Sequence, residues 1–265
     1  MVREELKRGG WEVVDAPEGS RLKALEPTPP KREVTFLTLV HGWVADADRW
    51  LQSVFAHHGG HDFEALLVDN SGDARVAGWL AGRRAERIRS FVLQPPAGFG
   101  AAVNAGLKAA TGDVVILFDP GVELHGDVAG PLLATLASPG VGLAGGFGLR
   151  GHGTVKHFHE HEGPEVDALE GYCIAFRRQE ALELGGFDEK FRFYRIADVE
   201  FSFRMRASGK RALVVGGLPL ERHEHRLWEA LTEVERERLS KKNFYRFLDR
   251  WGERSDLLLD PPNRS

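Results

Sequence analysis

Short runs of β-branched, leucine and aromatic residues recur through the first 150 positions, each separated by stretches whose apolar residues fall three and four apart. Val34–Val40, Phe63–Asp69, Ile88–Leu93, Val114–Phe118 and 141–147 read as strands. Between the first two, 46–57 carries Ala47, Trp50, Leu51, Val54 and Phe55 in a helical stripe started by Asp46 or Asp48. Further helices are predicted at 75–85, from Gly98 to about Ala110 with a stop at Thr111-Gly112, and at 126–137. Strand and helix alternate four times, which predicts an α/β fold with a mostly parallel sheet and helices on both faces.

After residue 150 the pattern changes. Positions 148–166 are rich in Gly and His and read as a loop or hairpin. Leu169–Arg177 reads as a strand, Gln179–Leu184 as a short helix closed by Gly185-Gly186, and Asp198–Ser208 as a helix ended by Gly209. A last strand covers Arg211–Val215. The charged stretch Leu227–Trp251 reads as a long helix or a helix pair. Before residue 33, Trp11–Val14 and Arg21–Leu25 suggest a hairpin or a surface attachment. A proline cluster ending at Pro30 reads as a linker. The expected organisation is an N-terminal extension (1–32), a first half (33–150), a second half of the same domain (151–226) and a C-terminal helical segment (227–265).

Composition narrows the class. The 265 residues are 42% hydrophobic and 28% charged, ordinary for a globular protein. A net charge of −4 gives no electrostatic case for nucleic acid. A single cysteine, Cys173, fits a reducing compartment, and no apolar run is long enough for an integral membrane segment. A cytoplasmic location, including attachment at a membrane surface, is the expectation.

Two predicted strands end in a carboxylate, Asp69 and Asp119. Ligands of open α/β sheets bind outside the carboxyl ends of the strands. Such an Asp can bond a ribose or base, hold a divalent cation, or cap the next element; Asp119 before Pro-Gly is also good turn chemistry. Gly98-Phe-Gly100 opens a helix after a strand, close to a dinucleotide fingerprint. It departs from that pattern at Val103 and through the intervening 94–97 segment. His157, His159 and His161 would share one face of a strand; a solvated loop, a cation site and an acceptor-shaping insertion are all open for them.

Taken together, Val68-Asp69-Asn70-Ser71-Gly72-Asp73, Gly98–Gly106, Gly112–Asp119, Glu170–Arg178, Gly185-Gly186-Phe187-Asp188-Glu189, Ala197-Asp198-Val199-Glu200 and Leu220-Glu221-Arg222-His223 resemble a family 2 glycosyltransferase of GT-A fold, over roughly 33–226. The resemblance implies a Rossmann-like nucleotide-sugar half, a smaller acceptor-side part and C-terminal helices. It implies that Asp69, Gly100, Asn104 and Asp119 bind the nucleotide sugar, that Glu170, Gly171 and Tyr172 lie on the acceptor side, and that Asp198 is the general base of an inverting transfer. It implies a divalent cation, Mn or Mg, at Asp119 and His223 (or His225).

The implied donor is a nucleoside-diphosphate sugar and the acceptor a glycan, lipid-linked or small-molecule hydroxyl. One departure stands out: family members carry a second acid two or three positions after the first, whereas Asp119 is followed by Pro120, Gly121 and Val122, and the next acid is Glu123. This leaves metal dependence open. A non-catalytic nucleotide- or glycan-binding descendant and a sugar nucleotidyltransferase are the alternatives.

Overall fold

The computed structural model describes residues 11–14, 21–24, 29–83 and 85–261. The chain divides into two compact units, 1–31 and 32–265. In the first, β1 (Trp11–Val14) and β2 (Arg21–Ala24) form an antiparallel hairpin, the first of the two arrangements the sequence suggests. The rest of 1–28, including the first part of the proline cluster read as a linker, and residues 262–265 lie outside the described residues.

The second unit contains strands β3 (Arg32–Val40), β4 (Phe63–Asp69), β5 (Ile88–Val92), β6 (Gly112–Phe118), β7 (Val122–Leu124), β8 (Val141–Gly145), β9 (Gly148–Arg150), β10 (His159–His161), β11 (Glu165–Val166), β12 (Ala168–Leu169), β13 (Cys173–Arg177), β14 (Arg211–Val214) and β15 (Leu220–Arg222). Its helices are α1 (Val44–His57), α2 (Ala74–Ala81), α3 (Phe99–Ala109), α4 (Ala129–Leu136), α5 (Arg178–Glu183), α6 (Ala197–Ala207), α7 (Arg226–Glu229) and α8 (Glu233–Trp251).

Eight strands form the central sheet in the order β11-β14-β8-β13-β6-β3-β4-β5. The run β6-β3-β4-β5 is parallel, and β14 is parallel to β8. β13 enters between β6 and β8 antiparallel to both. Residues alternate between two apolar layers, as period-2 strands buried on both faces must. Phe36, Leu67 and Phe118 join Trp50 of α1 on one face; Leu37, Leu66 and Leu117 join Leu107 of α3 and Phe201 of α6 on the other. Each fully buried large apolar side chain contributes about 1.5–3 kcal/mol.

The end of the sheet remote from the strand C-termini is tied by a buried carboxylate. Glu64 accepts from Thr35 Oγ1 (2.7 Å), the Thr111 N–H (2.6 Å) and Arg89 Nη1 (2.6 Å).

Three local expectations change, and one left open is settled. Neither Asp46 nor Asp48 caps α1; Asp46 is buried in its first turn and pairs with Arg49 and Arg226 instead. Gly112 is no helix stop. It lies in β6, where a Cβ would meet the backbone of Val34 and Thr35, so it is there for close strand approach. The predicted strand Leu169–Arg177 breaks into β12 and β13, because Glu170, Gly171 and Tyr172 turn across the sheet end. Of the two arrangements left open for 227–251, the pair is found: Thr232 forms a capping box with Glu235 and starts α8 afresh after α7.

Candidate active site

A cavity of about 140 Å³ opens at the C-terminal ends of β3 and β6. Its polar wall is made by His41, Asp119, Glu170, Arg195, Asp198 and His225. A smaller hollow of about 20 Å³ adjoins it, sharing His41, Asp119 and His225 and adding Trp43.

Asp119 follows β6. Its Oδ1 accepts the Gly121 N–H at 2.8 Å, and its Oδ2 lies 3.0 Å from His225 Nε2. The His225 ring stacks on Tyr194 at 4.1 Å between centroids and 17° between planes. Its Nδ1 accepts a long bond from the Trp228 N–H (3.4 Å), which leaves Nε2 as the nitrogen donating to Asp119. The backbone two positions after Asp119 is closely packed. A Cβ on residue 121 would stand 2.9 Å from Asp119 Oδ1 and 3.2 Å from the Glu224 carbonyl oxygen. Residue 122 is buried in β7, so the next outward position is Glu123.

Glu123 Oε2 is 2.8 Å from His223 Nε2. The sequence reading linked Asp119 to His223 or His225; the structure pairs Asp119 with His225 and gives His223 to Glu123. β15 brings Glu221 alongside β7. Among the described residues, Glu123, Glu221 and His223 form the one acid/His group whose ligand atoms all lie within 4.8 Å of one another. Two carboxylates and an imidazole suit a hard or borderline divalent cation. Arg49, 3.6 Å from Glu123, adds a competing positive charge.

Asp198 stands in the first turn of α6. Its Oδ2 accepts the Gly171 N–H and its Oδ1 the Val199 N–H, both at 2.8 Å. Burial raises its pKa, and these hydrogen bonds oppose the rise. The preceding Ile196 has φ 71°, a left-handed conformation that costs a β-branched residue about 1–3 kcal/mol. That turn directs the first residues of α6 to the cavity.

Glu170, Gly171 and Tyr172 sit between β12 and β13 on the same rim. The Asp119 N–H donates to the Tyr172 carbonyl (3.2 Å), tying this turn to the end of β6. Burial, then the Asp198 charge, pushes the Glu170 carboxyl up to about 7.

The other predicted residues occupy different places. Asp69, at the end of β4, is fully buried. Its Oδ1 accepts from Ser71 N (2.9 Å) and Ser71 Oγ (2.6 Å), while its Oδ2 has no hydrogen-bond partner. Asn104 bonds Phe187 in both directions (2.8 and 2.7 Å) and reaches Glu189, and a Cβ on Gly100 would strike the Asp188 carbonyl. Both therefore hold the Gly185–Glu189 loop, and neither lines the cavity. His159 and His161 lie on the exposed hairpin strand β10, away from the cavity lining, and His157 precedes it.

The sequence alone assigns no role to His41, which follows β3. Burial lowers its pKa to about 4, so it is a neutral imidazole beside Asp119, His225 and Asp69. A histidine right after a buried parallel strand is the signal that could have found it.

Residues 45–202 match the sequence profile described as Glycosyl transferase family 2. No curated protein matches the chain by sequence. Three solved structures are similar in fold. GalNAc-T7 with UDP, GalNAc and Mn2+ is 18% identical, with TM-score 0.66 over 91% of this chain and 52% of that one. The mannosyltransferase PcManGT from Pyrobaculum calidifontis, in complex with GDP-Man and Mn2+, is 18% identical, with TM-score 0.52 over 82% of this chain and 61% of that one. S. aureus TarS 1–349 is 16% identical, with TM-score 0.55 over 82% and 72%. The chain thus spans about half the length of the GalNAc-T7 chain. A profile match that starts in α1 and runs into α6 takes in both Asp119 and Asp198, and the sheet around it has the same fold as those enzymes: the chain belongs to glycosyl transferase family 2 and has the GT-A fold.

Proposed function

We propose that the protein transfers a sugar from a nucleoside-diphosphate sugar to a hydroxyl acceptor with inversion at the anomeric carbon. The observation that carries this reading is that Asp119, at the end of a parallel strand, and Asp198, on a helix of the second half, line one cavity. GalNAc-T7 and PcManGT, similar in fold, were solved with UDP and with GDP-Man.

In this reading the nucleoside lies over the ends of β3 and β4. The unpartnered Asp69 Oδ2 and the neutral His41 ring offer it an acceptor and a mixed donor–acceptor. Asp198 accepts the proton of the acceptor hydroxyl as its oxygen bonds to the anomeric carbon. The bond from that carbon to the diphosphate oxygen breaks, and the diphosphate leaves with the electron pair. One displacement from the opposite face inverts the centre. The raised pKa of Asp198 makes it a stronger base than an exposed carboxylate.

Glu123, Glu221 and His223 would hold a divalent cation, with Asp119 and His225 beside them. When bound, the cation supplies positive charge against the diphosphate. Arg195 and Arg222 add fixed positive charge at the acceptor end.

The test is a transfer assay with UDP-, GDP-, dTDP- and CDP-sugars, with Mn2+, Mg2+ or chelator, reading the anomeric configuration of the product by NMR. An inverted product that is lost in Asp198→Asn supports the reading. A retained configuration, or unchanged turnover in Asp198→Asn, removes Asp198 as base. Nucleotide binding without transfer favours a non-catalytic binding protein.

A further inference from the structure

β7 and β15 form a two-stranded ribbon of their own, outside the central sheet. Side chains alternate along each strand. On β7, Val122 and Leu124 are buried in the core, which turns Glu123 and His125 to the other face. On β15, Leu220 packs on the same core and Arg222 stacks on Phe147 and Tyr172, which turns Glu221 and His223 outward. Glu221 lies directly opposite Glu123. The ladder continues beyond both strands: the His223 N–H donates to the Gly121 carbonyl and the His125 N–H to the Pro219 carbonyl, both at 2.8 Å. One face of the ribbon therefore carries two carboxylates flanked by two imidazoles.

Like charges directly opposite on a sheet face repel. Carboxylates alone would make only a solvated acidic patch. Here each is met by a ring nitrogen. His223 Nε2 stands 2.8 Å from Glu123 Oε2, and His125 Nε2 3.0 Å from Glu221 Oε2. The other nitrogen of His223 lies 4.0 Å from Glu221 Oε1, so this ring bridges the two acids. Arg49 does not satisfy Glu123: its Nε is 3.6 Å away and makes no hydrogen bond, and its Nη2 is committed to Asp46 at 2.9 Å. Glu221 and His125 are exposed, which gives an ion a path in from solvent.

We infer that this ribbon is a site for a zinc-type transition-metal ion, with His125 as the fourth ligand beside Glu123, Glu221 and His223. The inference rests on the cation site of the proposed transfer and not on its chemistry. Mg2+ demands octahedral oxygen ligands and keeps several waters, whereas imidazole nitrogen suits zinc, which four protein ligands close tetrahedrally. None of the four residues lines the cavity or the hollow beside it. An ion closed in this way acts as a fixed charge and as a staple of β15 onto β7, two residues before His225 reaches Asp119.

The test uses the metals alone, without nucleotide. Untagged, metal-stripped protein is titrated calorimetrically with Zn2+, Mn2+ and Mg2+, and Co2+ binding is followed by visible absorption. Wild type, H125A, E221Q, H223A and the double variant H152A/H159A are compared. The last removes another close pair of imidazoles, whose rings lie 5.9 Å apart. One Zn2+ is expected per chain, bound about tenfold or more tightly than Mn2+, with no resolved Mg2+ binding. Co2+ should give the intense visible bands of four-coordination. H125A, E221Q and H223A should each weaken Zn2+ by about tenfold or more and H125A should dim those bands, while H152A/H159A behaves as wild type. Saturating Zn2+ should raise the urea midpoint of wild type and not that of H125A. Circular dichroism of each variant separates a lost ligand from misfolding.

The inference is overturned if Zn2+ does not bind, if Mg2+ or Mn2+ binds as tightly, if H125A leaves the Zn2+ affinity and the Co2+ spectrum unchanged, or if binding is lost in H152A/H159A instead. Zn2+ bound in the expected way by a protein that transfers no sugar supports the inference and strikes the transferase reading alone.

Discussion

His225 donates to Asp119 at 3.0 Å from a ring stacked on Tyr194, so the carboxylate at the end of β6 is held by a residue of the late β15–α7 segment. His225→Ala leaves Asp119 facing the diphosphate without its partner. Nucleoside diphosphate affinity is expected to fall about tenfold, as for a lost charge-assisted hydrogen bond, with His225→Gln intermediate; calorimetric titration measures it.

Restoring an acid two positions after Asp119 does not restore an Asp-X-Asp site. In Gly121→Asp the new Cβ meets Asp119 Oδ1 and the Glu224 carbonyl. Stability should fall by about 1–3 kcal/mol in chemical denaturation, with no gain in Mn2+ affinity by titration.

Asp198→Asn keeps one of the Gly171 and Val199 N–H bonds through its carbonyl oxygen, sets its NH2 against the other donor, and loses the base. Turnover is expected to drop by about 10²–10⁴ with nucleotide affinity unchanged, read in a steady-state assay beside a nucleotide titration.

Two partly buried groups act in opposite directions on stability between about pH 5 and 6. Glu170 is protonated in the fold and ionised when unfolded, so its contribution falls as pH rises towards about 7. His41 is neutral in the fold and protonated when unfolded, so its contribution rises over the same interval. They nearly cancel in the wild type. Relative to it, Glu170→Gln should gain a slope of about +1 kcal/mol per pH unit and His41→Gln about −1. Urea denaturation at pH 5.0, 5.5 and 6.0 checks both signs.

Glu64 is remote from the cavity, and its removal separates fold from site. Glu64→Ala strands the Thr111 N–H, takes the acceptor from the Thr35 hydroxyl, and leaves Arg89 with only the Ala109 carbonyl. A loss of about 2–4 kcal/mol is expected, with nucleotide affinity retained in the surviving folded protein.

The parallel half of the sheet was legible because Val34–Val40, Phe63–Asp69 and Val114–Phe118 are buried on both faces, and such strands leave continuous apolar runs. That Asp119 and Asp198 belong to one site was implied by the family resemblance, and both line the cavity. What the sequence did not disclose is which partner each polar residue takes. Asn104 reads as a pocket residue and is a brace for Phe187; Asp46 reads as a cap and is an anchor for Arg226. Such partners come from elements 80 to 180 positions away, so no local pattern records them. Gly112 misled for a related reason: glycine ends helices and also lets strands approach, and the neighbour that decides between them is Thr35 on β3.

The reversed direction of β13 has a consequence for how this site can diversify. Residues 146–172 connect β8 to the adjacent strand β13 and on the way supply β11, the edge strand of the same sheet: Gly145 lies opposite Ile174, and the Gly146 N–H donates to the Cys173 carbonyl. The segment is thus an excursion closed at its base by ladder pairing, and changing its length costs little closure entropy. It carries Glu170, Gly171 and Tyr172 but neither Asp69 nor Asp119. The part ahead of β11 is the part outside the central sheet, so length changes there alter the surroundings of the cavity while β11 and the strands that carry Asp69 and Asp119 stay in register.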